Sequence, residues 1–478
     1  MVTLSDYVGS GFCELTSDDG GRLNYAPLIA RFDEFDFGGL DSRVQLIEGL
    51  FRRQGITFAV YGEEDGSERT WPLDIVPRII SAADWDHLER GLTQRVRALN
   101  SFLDDVYQGG RQIVGDGMIP RWLVESSAGY HPEATGIPVP PGGRCVISGI
   151  DLVRDGEGVY RVLEDNLRVP SGISYVLENR VAMTRVLPTG FARYRVRPVD
   201  HYGASLLATL RSLAPHGIDD PAVVVLTPGV RNSAYFEHAF LARLMGVELV
   251  EGRDLAVDNG VVYSRTTRGL SRVDVIYSRV ADEFLDPVVF RPDSLLGVPG
   301  IMSAVRVGNV RLANPVGNGV ADDKGVYAYV PAMIDYYLGE EPILPNVTTY
   351  LPWESDEADY IQENLARLVV KPVAESGGKG IVFGPDCDEE TLSHVAASLS
   401  ADPRGYIAQE VIQLSTHPTF TDGGLAPRHI DLRPFVLSGP DGVEVVPGGL
   451  TRVALREGSL VVNSSQGGGS KDTWVLAD

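Results

Sequence analysis

The segment Val369–Gly384 reads VVKPVAESGGKGIVFG and governs the interpretation of the rest of the sequence. An apolar run ends at Lys371, the glycine-rich stretch Glu375–Gly380 follows, and a second apolar run begins at Ile381. The pattern predicts two strands joined by a flap over phosphates. Glycines let backbone N–H groups approach anionic oxygens, and the lysine at each end adds positive charge. An ordinary glycine-rich hairpin is the alternative, since such turns are common.

The same segment does not match a P-loop. A P-loop requires Gly-x-x-x-x-Gly-Lys-Ser/Thr followed at once by a helix. Here a glycine and then a β-branched run follow the second lysine, so we expect a hairpin. The candidate phosphate-binding residues of this segment are Lys371, Ser376, Gly377, Gly378, Lys379 and Gly380.

A second polar cluster lies far upstream, in Val159–Gly172 (VYRVLEDNLRVPSG). Glu164 and Asn166 are two residues apart at the end of an apolar run, so on a strand they point the same way. Asp151 ends the preceding apolar run, and residues 155–158 (DGEG) predict a tight turn between the two runs. The predicted hairpin therefore brings three hard oxygen ligands together, which suits Mg²⁺. A strand end capped by acids is the alternative.

Taken together, the metal hairpin and the flap resemble those of the circularly permuted ATP-grasp ligases, of which glutathionylspermidine synthetase is the best understood. In most ATP-grasp enzymes the flap precedes the metal motif, whereas here Asp151 and Glu164-x-Asn166 come first, which is the permuted order. The sequence also resembles an uncharacterised bacterial branch of that superfamily over nearly its whole length. The motifs that carry this second resemblance are residues 71–74 (WPLD), 164–172 (EDNLRVPSG), 322–325 (DDKG), 431–434 (DLRP) and 467–472 (GGGSKD).

The resemblance implies a reaction and its cofactors. It implies an ATP-dependent carboxylate–amine ligase that forms an amide or peptide bond through an acyl phosphate and releases ADP and phosphate. ATP and Mg²⁺ are then the expected cofactors, with Asp151, Glu164 and Asn166 as metal ligands. Further nucleotide contacts are expected at Lys324, Gln409, Glu410 and Lys471.

The resemblance also implies an arginine that stabilises the transition state. Glutathionylspermidine synthetase has an arginine two residues before its first metal aspartate, but this chain has Gly149 there. Arg168 is the nearest substitute and Arg154 the next. Arg433 and Arg452 lie in strand-like runs, where a guanidinium can bind a triphosphate or acyl phosphate bidentately. Both can equally pair with surface acids.

Two other functions remain open from the sequence. An ATP-dependent phosphotransferase of the kinase type would phosphorylate its substrate and stop. A catalytically inactive ATP-grasp scaffold would keep the fold without turnover. For a ligase, the expected partners are a small-molecule or peptide carboxylate and an amine, and the sequence does not name either.

The expected fold class is α/β (α+β), a circularly permuted ATP-grasp fold with an N-terminal helical cap and a Rossmann-like βαβ substrate-side domain. We assign residues 1–115 to the helical region and 116–200 to the first ATP-grasp part with the metal hairpin. Residues 201–312 form the βαβ domain and 313–478 the second ATP-grasp part with the flap. In the helical region, apolar residues recur at spacings of three and four from Trp85 to Val106, which predicts one long amphipathic helix.

Three further elements are predicted from local patterns. Ala222–Leu226 and Val247–Val250 read as strands flanking a helix. Asp322–Leu338 reads as a helix interrupted by Pro331. The apolar residues near the C-terminal end, around Trp474, predict that this segment packs against the rest of the chain.

Composition agrees with a globular enzyme of 478 residues, 44% of them hydrophobic. No apolar run is long enough to span a membrane, and the first residues do not resemble a signal peptide. Three scattered cysteines fit neither a disulfide framework nor a zinc site. A cytoplasmic location is therefore the default expectation. The net charge of −23 argues against binding to nucleic acid or to anionic membrane.

Overall fold

A computed structural model describes residues 4–17, 21–59, 68–374, 380–421, 424–462 and 468–478 of the chain. Helices and strands alternate along most of this length, which confirms the predicted mixed α/β class. Within the described residues, no helix is both long enough and apolar enough to cross a membrane.

The N-terminal part is mostly helical. Its elements are α1 (Gly21–Phe32), α2 (Phe37–Gln54), β1 (Thr57–Ala59), β2 (Glu68–Thr70), β3 (Leu73–Ile80), α3 (Ala82–Tyr107), α4 (Gln112–Gly115) and α5 (Arg121–Glu125). The long amphipathic helix predicted from the sequence is α3. Ser81 caps it by accepting a hydrogen bond from the Asp84 N–H at 3.1 Å. The apolar stripe from Trp85 to Val106 is fully buried, so this helix forms part of the main core.

The predicted metal hairpin is present as β4 (Ile147–Arg154) and β5 (Tyr160–Asn166), which pair antiparallel. The chain then runs through α6 (Ile173–Val186) and α7 (Pro188–Phe191). All of β4 is buried, because a C-terminal strand covers its other edge. The hairpin is therefore held inside a larger sheet.

The middle of the chain builds a parallel sheet. Its elements are α8 (Tyr202–Ser212), β6 (Val223–Leu226), α9 (Tyr235–Met245), β7 (Glu248–Val250), β8 (Leu255–Asp258), β9 (Val261–Thr266), β10 (Gly269–Val273), β11 (Val275–Ser278), α10 (Asp282–Leu285), α11 (Ile301–Arg306) and β12 (Arg311–Ala313). The parallel strands have the order β12-β11-β6-β7, and β8, β9 and β10 form a separate antiparallel sheet. The predicted βαβ unit is confirmed as β6–α9–β7.

The next segment carries the glycine-rich hairpin. Its elements are α12 (Gly319–Asp322), α13 (Lys324–Tyr327), α14 (Val330–Leu338), β13 (Thr349–Tyr350), α15 (Ser355–Asn364), β14 (Leu368–Pro372), β15 (Val382–Phe383), α16 (Glu389–Ala401) and β16 (Tyr406–Glu410). The strand order is β13-β16-β14-β15, all antiparallel. The pairing of β14 with β15 confirms the predicted hairpin, whereas residues 375–379 at its tip lie outside the described residues.

One predicted helix is wrong in its extent. Asp322–Leu338 is not a single interrupted helix but part of three short ones, α12, α13 and α14. The Asp323 carboxylate caps α13 and so starts a new helix. Pro331 lies in the first turn of α14, where a missing N–H costs nothing, and therefore begins that helix rather than breaking it.

The C-terminal strands connect distant parts of the chain. They are β17 (Thr416–Thr421), β18 (Gly424–His429), β19 (Phe435–Gly439), β20 (Gly442–Val445), β21 (Thr451–Val453) and β22 (Gly469–Val475). β19 pairs with β4 to complete the sheet β20-β19-β4-β5. β22 pairs with β21 and, in parallel, with β3 of the N-terminal part. Trp474 is fully buried, which confirms that this end of the chain packs.

Candidate functional site

A cleft of about 150 Å³ lies between the β20-β19-β4-β5 sheet and the β13-β16-β14-β15 sheet. One part of its lining is charged and consists of Asp151, Glu164, Lys324, Lys371, Asp431 and Arg452. Another part is apolar and includes Val153, Val347, Leu414 and Val462, which belong to one small hydrophobic cluster. The cleft thus combines an apolar wall with a group of charges.

The β4–β5 hairpin brings two of the three predicted metal ligands, Asp151 and Glu164, to the cleft, whereas Asn166 ends β5 and is not part of the cleft lining. Asp151 lies opposite Glu164 in the strand register, and Gly149 lies opposite Asn166. The Asn166 Nδ2 donates to the Gly149 carbonyl at 3.1 Å, which leaves the amide oxygen of Asn166 for other contacts. The hairpin predicted from the DGEG turn therefore places both carboxylates beside the cleft.

Two of the predicted arginines contact Asp151 directly. Arg433 pairs with both carboxylate oxygens, through Nε and through Nη2 at 2.8 Å from Oδ2. Arg452 Nη2 lies 2.6 Å from the same Oδ2. Burial alone would raise the pKa of Asp151, but Arg433 and Arg452 outweigh it and hold the pKa well below its usual range. Asp151 therefore stays ionised between the two guanidinium groups.

Asp431 is a site residue that the sequence analysis missed. It is 1% exposed, and Arg452 Nε lies 3.0 Å from each of its carboxylate oxygens. Arg452 therefore bridges two buried aspartates, Asp151 and Asp431. The DLRP motif could have indicated Asp431 as a site residue. Asp431 precedes Arg433 by two residues in an extended run, and Glu164 and Asn166 have the same spacing.

Lysines concentrate at the cleft. The sequence contains four lysines among its 42 basic residues, and Lys324 and Lys371 both line the cleft. Burial lowers the pKa of Lys371 to about 8, although Glu164 acts in the opposite direction. Burial and the charge of Asp151 together raise the pKa of Glu164. The structure thus places Lys371 and Lys324 within electrostatic reach of the carboxylates.

The two predicted residues of β16 also line the cleft. The Glu410 carboxylate accepts hydrogen bonds from the hydroxyls of Tyr350 at 2.8 Å and Tyr360 at 3.1 Å. Gln409 is 2% exposed and donates through Nε2 to Thr349 Oγ1 at 2.9 Å. Its Oε1 has no hydrogen-bond partner in the part of the chain that the structure describes.

Lys471 lies away from the cleft, which corrects the expectation that it contributes to the phosphate site. It is fully buried, and its ammonium lies 2.6 Å from Asp74 Oδ2, 3.2 Å from the Val76 carbonyl and 2.9 Å from the Pro418 carbonyl. An ammonium has three protons, and these three acceptors use them all. Lys471 therefore holds β22 against β3 and β17.

Arg168 also faces another region. Its Nε pairs with Asp322 Oδ2 at 2.9 Å, and its side chain is 41% exposed. Together with Ser278, Asp282 and Asn314 it lines a small crevice at the ends of β11 and β12. The structure therefore brings Arg433 and Arg452 to Asp151 but not Arg168.

Among the flap residues, Gly380 is described and Ser376, Gly377, Gly378 and Lys379 are not. Gly380 has φ of +71°, and a Cβ there would approach the Pro372 side chain to 2.9 Å. Both facts require glycine at this end of the flap.

The donor set of the cleft fits a magnesium nucleotide. The apolar wall suits a base, and two lysines and Arg452 suit phosphates. Within the described ranges, no group of three or more His, Cys, Asp or Glu side chains is placed to hold a metal ion alone. Two neighbouring carboxylates nevertheless fit Mg²⁺, because this ion usually keeps waters and phosphate oxygens as its other ligands.

Comparison with known proteins identifies the family. The profile of the family "Circularly permuted ATP-grasp type 2" matches residues 77–454. The chain therefore belongs to the circularly permuted ATP-grasp type 2 family, as its motif order predicts.

Several relatives share most of this sequence. An uncharacterised protein of Mycobacterium tuberculosis is 54% identical over 474 residues, covering 99% of this chain and 85% of that protein. An uncharacterised protein of Synechocystis is 57% identical over 422 residues, covering 88% of each chain. A Frankia alni protein named "Putative glutamate--cysteine ligase 2-3" is 46% identical over 481 residues, which cover 99% of this chain but 55% of that protein.

A solved structure shares the fold. It is a glutathione synthetase-like effector from Globodera pallida in its apo form, with a TM-score of 0.59 and 12% sequence identity. The match covers 92% of this chain and 98% of the effector. At this identity the comparison establishes the fold alone.

Proposed function

We propose that the protein is an ATP-dependent carboxylate–amine ligase that works through an acyl phosphate and releases ADP and phosphate. The observation that carries the proposal is the cleft, where Asp151, Glu164, Lys324, Lys371 and Arg452 meet beside an apolar wall in a chain of the ATP-grasp family. The ligase name of the Frankia alni relative supports the same class, although the match spans about half of that protein.

In this proposal each part of the cleft has its own role. The base of ATP lies against the apolar wall around Val347 and Leu414, and the phosphates extend towards Lys371 and Lys324. The lysines neutralise phosphate charge, which matters because phosphoryl transfer depends on positioning and charge stabilisation more than on covalent chemistry.

Asp151, Glu164 and the Asn166 amide oxygen would hold Mg²⁺. When bound, the metal neutralises phosphate charge and fixes the geometry of the terminal phosphate. Arg433 and Arg452 keep Asp151 ionised and oriented, and of its two oxygens Oδ1, which accepts only from Arg433 Nε, would be the one to meet the metal.

The proposed reaction has two steps. A carboxylate oxygen of the acid attacks the γ-phosphorus of ATP, the bond to the β-phosphate oxygen breaks, and ADP leaves. An amine then attacks the acyl carbon, phosphate leaves with the original carboxylate oxygen, and the nitrogen loses a proton. Charge that develops on the transferred group in the first step is stabilised by the lysines and by Arg452.

The crevice at Arg168 is the proposed entry for the organic substrates. It lies at the carboxyl ends of the parallel strands β11 and β12, the usual ligand position in open α/β sheets. Arg168 pairs with Asp322 through Nε, so Nη1 and Nη2 are the groups that would meet a substrate carboxylate. Arg168 follows β5 directly, which places the crevice next to the metal hairpin.

The nucleotide product tests the proposal. With amino acids and short peptides screened as acid and amine, we expect ADP and phosphate and no AMP, because the charges of the cleft are assigned to the terminal phosphates. Without an amine, hydroxylamine should trap the acyl phosphate as a hydroxamate detectable by mass spectrometry. Stoichiometric AMP, or a phosphorylated acid that hydroxylamine does not intercept and no amine consumes, would refute the ligase mechanism. The second outcome would indicate a phosphotransferase.

The pH dependence of nucleotide affinity should reflect Lys371. Its pKa is lowered from 10.5 to about 8, so it is charged below pH 8 and increasingly neutral above. Between pH 8 and pH 10.5, Lys371 must take up a proton when a polyanion binds beside it. We therefore expect the affinity for ADP to fall by up to about tenfold per pH unit above pH 8. Titration calorimetry from pH 7 to 9.5 measures this. The Lys371→Arg variant stays charged over the range, and an unchanged slope in it would assign the effect to another group.

A further inference from the structure

A second, smaller crevice lies apart from the cleft, where the segment before β4 meets α11 and β12. Its volume is about 20 Å³, and none of its lining residues lines the cleft. Two arginines, Arg144 and Arg311, belong to its lining. A charged group in apolar surroundings is costly unless it is paired and hydrogen-bonded. The rest of the wall is mainly apolar and includes Ile137, Leu213, Met302, Val305, Leu312 and Val316.

Arg144 is only partly paired. Its side chain is 1% exposed, and its Nε donates to Asp104 Oδ1 at 2.9 Å. Its Nη2 is buried and has no hydrogen-bond partner among the residues that the structure describes. The side chain of Asp104 is 38% exposed, so solvent screens part of the charge that it offers to Arg144. Arg144 therefore keeps a buried donor without a partner, which is unfavourable in a protein interior.

Arg311 has still less compensation for its charge. Its Nη1 donates to the Pro138 carbonyl at 2.8 Å, and its Nε is buried without a partner in the described parts of the chain. Burial lowers the pKa of Arg311, and no neighbouring carboxylate among the described residues acts in the opposite direction. Two guanidinium groups thus meet at one crevice in a chain whose net charge is −23. Such a local surplus of positive charge favours an anionic ligand.

We propose that this crevice binds a small apolar carboxylic acid in its ionised form. The carboxylate would accept hydrogen bonds from Arg144 and Arg311, since planar guanidinium groups match its two oxygens. A volume of about 20 Å³ has room for a small polar head group but not for a nucleotide. The alkyl chain of the acid would lie along the apolar wall. Phosphate would meet the same charges but gain nothing from that wall.

The crevice is a neighbour of the proposed substrate entry at Arg168. Pro315 lines both. Asn318 Nδ2 donates to the Arg144 carbonyl at 2.6 Å and to the Leu167 carbonyl at 3.2 Å. Leu167 directly precedes Arg168, so an experiment must tell the two crevices apart. The inference does not rest on the proposed ligase function, because the crevice and the cleft share no lining residue.

The test measures saturable binding of isovalerate to the full chain by ligand-observed NMR, without nucleotide. Isovaleramide has the same shape and no charge, whereas inorganic phosphate has charge and no alkyl chain. We expect the dissociation constant of isovalerate to be at least about tenfold lower than that of either compound. Equal affinity for the amide would refute a carboxylate site, and equal affinity for phosphate would refute the role of the apolar wall. Absence of saturable isovalerate binding would refute the site itself.

Substitutions of single arginines locate the ligand. Arg311→Met removes a cation without breaking an ion pair among the described residues, and it should weaken isovalerate binding by at least about tenfold. Arg144→Met should have an effect of the same size. Arg306→Met is the matched control and should bind isovalerate as the natural chain does. Arg306 is exposed, donates to the carbonyls of Glu133 and Thr135, and does not line the crevice.

Arg168→Met separates the two crevices. Loss of isovalerate binding in this variant, with binding retained in Arg144→Met and Arg311→Met, would place the acid at the substrate entry and refute our assignment. Undiminished binding by folded Arg311→Met protein would refute it as well. Thermal unfolding shows which variants are folded, and if Arg144→Met is not, because Asp104 has lost its partner, Arg311→Met alone decides. Nucleotide binding should persist in Arg311→Met, since the cleft is unchanged.

Discussion

Replacing Lys371 with alanine is expected to slow turnover by about 10²- to 10³-fold while the protein stays folded. A well-placed charged donor in a closed active site contributes on the order of 2–4 kcal/mol to transition-state stabilisation. The fold should tolerate the change, because burial already disfavours the charge of Lys371 and lowers its pKa to about 8. Steady-state kinetics with an active acid and amine, together with a thermal unfolding curve, measure both effects.

Lys471, unlike Lys371, is expected to affect the stability of the protein and not its turnover. Lys471→Met leaves Asp74 buried without its partner, so it should lower the free energy of unfolding by about 3–5 kcal/mol. Turnover per folded molecule should change little, because Lys471 does not line the cleft. Wild-type turnover in Lys371→Ala would refute the phosphate-binding role of Lys371, and catalytic loss in a folded Lys471→Met protein would refute our placement of Lys471 outside the site.

The second large effect is expected at Arg452. Arg452→Met removes the cation between Asp151 and Asp431 and leaves two buried carboxylates close together. Removing one partner of a buried ion pair typically lowers the free energy of unfolding by about 3–5 kcal/mol, because the remaining charge stays buried without its partner. Urea denaturation should show a loss of this size, and turnover should fall with it because Asp151 loses one of its two orienting contacts.

The loss in Arg452→Met should depend on pH. Burial already raises the pKa of Asp431, and Arg452 is the main group that opposes this, so the substitution should raise the folded-state pKa of Asp431 further above its unfolded value, whereas Arg433 still pairs with Asp151. The folded state then binds protons more tightly, so the stability deficit should shrink as pH falls from 8 towards 5. Arg456→Met is the control, because Arg456 is exposed and lies four residues further along. It should change stability by no more than about 0.5 kcal/mol. If the stability loss of Arg452→Met did not depend on pH, it would come mainly from lost side-chain packing and not from lost charge.

The parts of the site formed by local chain reversals could be predicted from the sequence. Asp151 and Glu164 meet because a tight turn joins two adjacent strands, and turn residues are visible in the sequence. The β14–β15 hairpin follows from the same kind of pattern. The long helix α3 was predictable because its apolar spacing repeats over its full length.

The contacts that join distant segments could not be predicted. Asp431 meets Asp151 only because β19 pairs with β4, a pairing of strands far apart in sequence. Lys471 is an expected nucleotide contact from the sequence, but the parallel pairing of β22 with β3 buries it beside Asp74. Periodicity and turn chemistry carry no information on which remote strands become neighbours. The proposed boundaries between the four chain regions stay predictions for the same reason.

Because lysine is scarce in this protein, chemical modification of its lysines can be followed residue by residue. Reagents that acylate primary amines act on the uncharged form, and Lys371, with a pKa of about 8, offers more of that form near neutral pH than an ordinary lysine does. Lys471 is shielded by its three hydrogen bonds. Peptide mapping after brief acylation follows Lys324 and Lys371 separately from Lys379 and from the N-terminal amine, because each reacts in a different part of the sequence. A small molecule that protects Lys324 and Lys371 from the reagent is an occupant of the cleft, so substrates can be sought by protection before any turnover has been observed.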